Sequence, residues 1–249
     1  MPRSSLKREL ARVSPAVWER FTQYRLRVVY AFGINNGPSD SESRADLLDA
    51  ASSAIAVLGS ARPSGHPHIA AWRKVYAEFG AKPSHFPSSI EALLRRSLKE
   101  GAAGIPAINR LVDLYNALSL RHFIPVGGED LDRVVGTPML GFARGDEPFD
   151  LPDHHGEMPS FPTFGEVVWA DGAGVTCRNW NWRQGRRTRL TERTSNAYFI
   201  LEGLAPACTD EHLDAAAATL EELLVTHAGA NEVVVARHGP SDIDVACAV

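Results

Sequence analysis

The chain has 249 residues, 44% hydrophobic and 22% charged, with a formal net charge of −4. That length suits one large domain or two small ones with a buried core, and the composition excludes fibrous and wholly disordered classes. No apolar run approaches the roughly 20 residues of a membrane span, and the basic first residues lead into no apolar stretch of a secretory signal.

Ser14-Pro15 reads as a helix start, with Ser14 as N-cap and Pro15 at the first helical position. Residues 24–32 alternate and are β-branched, which predicts a strand. A loop follows at 35–40, then helices over 46–58 and 69–79. Ser88 and Glu91 have capping-box spacing at the head of another helix. Apolar residues near a 3.6 period predict a helix over 108–122, stopped by Pro125, with Val126-Gly127-Gly128 as a tight turn. Short strands are expected at 139–143, 166–169, 174–178 and 197–201, then a helix from Thr209 to His227 and a strand at 232–236. Helices first and strands later read as α+β, a mixed sheet with surrounding helices. Residues 1–82 form an expected extension packed on a core of 83–249, or one continuous domain with it.

Three cysteines, Cys177, Cys208 and Cys247, are odd in number and far apart, which gives neither a disulfide framework nor a thiolate zinc site. His66-Pro-His68 and His154-His155 lie in loops rich in Pro, Gly and acids and read as solvated histidines. No metal and no cofactor are expected, in a soluble, reduced, cytoplasmic protein. There is no Walker loop, no G-x-G-x-x-G, no G-x-S-x-G and no H-E-x-x-H.

The informative segment runs from Cys177 to Thr194. Arg178, Arg183, Arg186, Arg187, Arg189 and Arg193 are opposed within it only by Glu192. Two tryptophans, two asparagines and a glutamine lie among them. Such a mixture offers stacking faces, bidentate phosphate donors and neutral hydrogen-bonding groups, and suits an anionic ligand docking at one place. The same composition also fits a solvated β-hairpin whose Trp180 and Trp182, on one face by period two, cover the core.

Asn179-Trp-Asn-Trp-Arg-Gln-Gly, preceded by Gly165-Glu-Val-Val-Trp-Ala-Asp, resembles free-standing relatives of the editing module of bacterial phenylalanyl-tRNA synthetase, the third and fourth domains of its beta subunit. Residues 109–132 and Pro87-Ser-Ser-Ile-Glu-Ala-Leu-Leu-Arg-Arg are similar to the same family, so the resemblance covers roughly 83–204. It implies an α+β fold enclosing a pocket for the 3′ end of a mischarged tRNA, whose ester the pocket hydrolyses. The implied partner is therefore tRNA, and no membrane is involved. The ligase core and anticodon modules have no counterpart here, so the resemblance implies a hydrolase acting in trans in translation fidelity, not a ligase.

Carried over residue by residue, the catalytic candidates are Asn116, Gly127, Gly128, Asn181 and Gln184. Substrate binding falls to Tyr115, Glu129, Trp180, Trp182, Arg183, Gly185 and Thr188, and tRNA phosphates to Arg178, Arg186, Arg187 and Arg189. Gly127 stands where the synthetase has a histidine, and Arg186 where it has a glutamate. Two alternatives stay open: a binding module for tRNA, an aminoacyl-nucleotide or an amino acid without turnover, and an aminoacyl-tRNA-dependent transferase.

Overall fold

The computed structural model describes residues 11–150 and 161–239. The chain runs β1 (Arg12–Val13), α1 (Pro15–Arg20), β2 (Tyr24–Phe32), α2 (Ser41–Leu58), α3 (Pro67–Glu78), α4 (Ser89–Glu100), α5 (Arg110–His122) and β3 (Val126–Asp130). It continues through β4 (Met139–Phe142), β5 (Val167–Asp171), β6 (Gly174–Arg178), β7 (Arg183–Gln184), β8 (Asn196–Leu204), α6 (Asp210–Thr226) and β9 (Glu232–His238). This is an α+β fold with two sheets. One is antiparallel, in the order β3-β8-β2-β9; the other, β1-β4-β5-β6-β7, is antiparallel except for the parallel β1–β4 pair.

Strand β2 shows why both sheets are needed. One side-chain row, Tyr24 to Phe32, is wholly apolar, and the other carries Val29 and Ala31 after Arg25 and Arg27, so both faces hold apolar residues that must be covered. Val29 and Ala31 pack with β8 against Leu213, Ala216, Leu220 and Leu224 of α6 and Leu111 and Leu118 of α5. Tyr24, Leu26, Val28 and Tyr30 face the other way, onto Trp18 of α1, Trp72 and Tyr76 of α3, Leu140, Val167 and Trp169 of the second sheet, and Trp180 of the turn after β6. Residues grouped by sequence with an extension therefore supply an interior strand. A third core, with Ala50, Ala51 and Ala54 of α2 against Ala117 and Leu120 of α5, closes the helical side.

Two local expectations are corrected. Ser88 makes no side-chain cap bond, and Glu91 is buried and paired with Arg73 and Arg95, each at 2.7 Å, instead of reaching back to Ser88. Val126-Gly127-Gly128 is not a turn but the start of β3, paired along its length with β8. Neither glycine has a positive φ, and a waiting partner strand turns a glycine pair into extended chain.

Candidate functional site

A cavity of about 340 Å³ opens between the four-stranded sheet, helices α4 and α5, and residues 180–184. Gly127 pairs with Ile200 and Glu129 with Tyr198, so Gly127, Glu129, Ile200 and Glu202 share one sheet face and form the floor. A Cβ at Gly127 would meet nothing within 4 Å, so the floor is open there for want of a side chain. Gly128 looks to the opposite face, where a Cβ would lie 2.8 Å from Leu190 and 2.9 Å from the Phe199 ring.

The strongest polar cluster in the wall centres on Glu202, a residue the sequence reading missed. Its Oε1 accepts from the Tyr24 hydroxyl at 2.6 Å and Trp180 Nε1–H at 2.9 Å, and its Oε2 from Asn181 Nδ2–H at 2.8 Å. The Tyr76 hydroxyl donates to Asn181 Oδ1 at 2.9 Å. Burial raises the Glu202 carboxyl, while its donors pull the other way. Burial and the neighbouring Glu202 hold the Tyr24 phenol firmly protonated. The only signal in sequence was a lone acid inside an apolar strand.

The hairpin of β6 and β7 forms, but its two tryptophans do not share one face. Asn179 and Trp180 have φ of 44° and 66°, which reverses the chain and separates the two tryptophans. Trp180 is fully buried, 4.9 Å from the Tyr24 ring and 5.3 Å from Trp72. Trp182 is half-buried, with its ring 4.7 Å from Phe86. Both line the cavity.

Glu129 is a second buried carboxylate on the floor, 3% exposed, and it accepts from the Tyr198 hydroxyl at 2.6 Å. Desolvation pushes it up to about 6. The hydroxyls of Thr176 and Thr188 belong to its surroundings, yet among the described residues neither makes a hydrogen bond of normal geometry. Cys177 lines the same cavity; burial holds its thiol well above the ordinary range, which disfavours a thiolate nucleophile.

Neutral groups complete the wall. Gln184 Nε2–H donates to the Gly128 carbonyl at 2.8 Å, tying β7 to the edge of β3 that faces away from β8 and that Arg189 bridges at Glu129. Glu202 N–H bonds Pro125 O, and Asp130 N–H turns away to Thr188 O. The ladder therefore alternates so that Gly127 bonds β8 while the Gly128 N–H points outward beside its carbonyl. Among the described residues the Asn116 side chain has no hydrogen-bond partner, and it faces the cavity with Tyr115.

Of the sequence candidates, Tyr115, Asn116, Gly127, Gly128, Glu129, Trp180, Asn181, Trp182 and Gln184 meet at this cavity. Arg183, Gly185 and Thr188 do not line it. The Arg183 guanidinium lies 5.8 Å from the Trp182 ring centroid, Gly185 packs on Phe149, and Thr188 is buried. The arginine stripe divides. Arg178 holds buried Glu166 at 2.6 and 2.7 Å, Arg186 pairs with Asp150 at 2.8 Å, and Arg187 pairs at 2.6 Å with Asp171, whose side chain is fully buried. Exposed Arg189 and Arg193 have no side-chain partner among the described residues, and with Arg133 they border a shallow depression. Ile108 lines both that depression and the cavity, so the two adjoin.

His66 and His68 are not solvated loop residues. His66 stacks on Phe123 with ring centroids 4.3 Å apart, and His68 sits half-buried in the first turn of α3. Pro67 at the first helical position lets α3 begin there. His122 is outside the cavity lining; burial and neighbouring His212 push it down to about 4. His154-His155 and Cys247 lie outside the described residues. Among those described, no helix is long and apolar enough to cross a membrane.

The family model of the B3/4 domain matches residues 71–224. No curated protein sequence matches the chain. Among solved structures, the fold is similar to an N-terminal fragment of the phenylalanyl-tRNA synthetase beta-subunit from Pyrococcus horikoshii, at 11% identity and a TM-score of 0.40. The alignment covers 85% of this chain and 49% of that one, so this chain spans about half its length.

Proposed function

The chain belongs to the B3/4 domain family, and on that premise we propose that it is a free-standing hydrolase of aminoacyl-tRNA esters. The observation that carries this reading is one cavity lined by Asn116 and by residues of both 127–129 and 180–184, segments that resemble the editing module. The aminoacyl group enters over Gly127, where the floor is open. Its α-ammonium meets the Glu129 carboxylate, and the unpartnered Asn116 amide is free to orient the ester or the attacking water. The outward Gly128 N–H is the backbone donor left for the tetrahedral oxyanion; Gly127 N–H is occupied by β8. An aminoacyl ester is already activated, so positioned water assisted by the free hydroxyl of the terminal ribose suffices. The phosphates leading into the 3′ end run over Arg189 and Arg193, beside the mouth.

The test is a panel of charged tRNAs incubated with the protein, with free amino acid counted. At least one should lose its amino acid faster than in buffer; a complete panel without acceleration would sink the hydrolase reading. A second reading, binding without turnover, is favoured by one observation: the Asn181 and Gln184 side chains are already engaged within the protein. Tight binding of a charged tRNA that is recovered intact would select it.

A further inference from the structure

Away from the cavity, His68 near the start of α3 comes together with Cys208 and His212 at the start of α6. One ligand atom from each lies within 4.8 Å of the other two. The hydrogen bonds around them decide which atoms carry protons. His68 Nδ1 is 3.2 Å from the Phe123 carbonyl, and His212 Nε2 is 2.9 Å from the His122 carbonyl. A carbonyl only accepts, so each of these nitrogens is the N–H of its ring. His68 Nε2 and His212 Nδ1 then keep their lone pairs. A backbone carbonyl fixing the tautomer of an imidazole by its far nitrogen is the outer-shell arrangement of metal-binding histidines.

The third group is the Cys208 sulfur, in a residue 1% exposed, whose one hydrogen-bond contact is a long 3.9 Å approach to Thr209 O. The two imidazoles and the sulfur thus gather three metal-ligating donor types at one point, close enough for a single cation to bridge them. We propose that His68, Cys208 and His212 form a binding site for a divalent transition-metal ion of the zinc class. Imidazole and thiolate are soft-to-borderline donors, which select zinc-like ions over magnesium or calcium. Zinc bonds of about 2.0–2.3 Å place tetrahedral ligand atoms roughly 3.3–3.8 Å apart, so the side chains need close by no more than about 1.5 Å on binding. The thiol proton is released to solvent, and the fourth position is open to water. The site pins the start of α3 to the start of α6, with the carbonyl end of α5 as its outer shell.

The experiment uses the full chain, stripped with a chelator and titrated with zinc and separately with cobalt(II). One ion per chain is expected, and the cobalt form should show the strong visible bands of tetrahedral coordination with a thiolate-to-cobalt charge-transfer band. Cys208→Ser should remove the charge-transfer band, and His68→Ala should weaken zinc binding by about 100-fold or more. His227→Ala, whose ring instead contacts Glu42, should change neither. Absence of stoichiometric binding, a cobalt spectrum without thiolate charge transfer, or zinc affinity unchanged in both ligand variants would overturn the site. The cobalt spectrum of the unaltered chain is decisive even if a variant fails to fold.

Discussion

Replacing Glu129 by glutamine separates the electrostatics of the cavity floor from its shape. The carboxyl is moved from 4.5 to about 6 by burial, and at 1.36 kcal/mol per decade this makes the ionised form about 2 kcal/mol less favourable than in the unfolded chain. Because the folded value is raised, the associated stability is complete below about pH 4.5 and lost as pH rises through about 6. Glutamine resembles the protonated acid at every pH. Its carbonyl can keep the Tyr198 hydroxyl bond, and its amide can donate to Thr176 or Thr188, whose hydroxyls have no partner among the described residues. Urea unfolding should therefore give Glu129→Gln within about 0.5 kcal/mol of the parent at pH 4 but about 1–2 kcal/mol more stable at pH 7.5, with unchanged m-values. A variant less stable at pH 7.5, or offset equally at both pH values, would refute this electrostatic account. The same variant should raise KM for a charged tRNA if Glu129 receives the ammonium.

Glu202→Gln, an equally isosteric change, should go the other way: one of its three donors would face an amide N–H₂, at a cost of about 1–3 kcal/mol read by the same unfolding assay. Gly127→Leu should leave stability within about 1 kcal/mol, since the position is open and its φ is not positive, while abolishing deacylation; full activity would show that substrate does not pass over it. Alanine at both Arg189 and Arg193 should flatten the slope of log K against log salt for tRNA by about 0.7–0.9 for each phosphate that is no longer neutralised, whereas Arg178→Ala should act through stability by stranding buried Glu166. His122→Ala should cost far less than the roughly 10²–10⁴-fold of a missing general base, and replacing the free terminal hydroxyl of the tRNA by hydrogen should cost more.

Elements were legible where one period ran unbroken. Strand β2 coincides with the alternation of residues 24–32, and α5 follows its 3.6-residue stripe from the Asn109 cap, whose side chain accepts from Val112 N–H. Gly127-Gly128 misled because a glycine pair reads as a turn unless the strand that will pair with it is known. Trp180 and Trp182 misled because period two holds only while the backbone stays extended, and it reverses at Asn179. Arg187 looked like a phosphate ligand because its partner Asp171 is brought beside it by the sheet, not by sequence proximity. For the same reason His68 and His212 lack metal-ligand spacing in the sequence although the fold brings them to one point.

Strand β2 has one more consequence, for the order in which the molecule assembles. Its neighbours are residues 196–204 on one side and 232–238 on the other, so an early segment of the chain waits for two late ones. Until they emerge from the ribosome, Tyr24 to Phe32 presents apolar residues on both faces and two unpaired backbone edges, a template for wrong partners. Closing that sheet requires the most distant pairings in the chain, which makes folding slow for a protein with this much helix. The cavity floor, carried by β8 and the edge strand next to it, is complete only when that pairing is made.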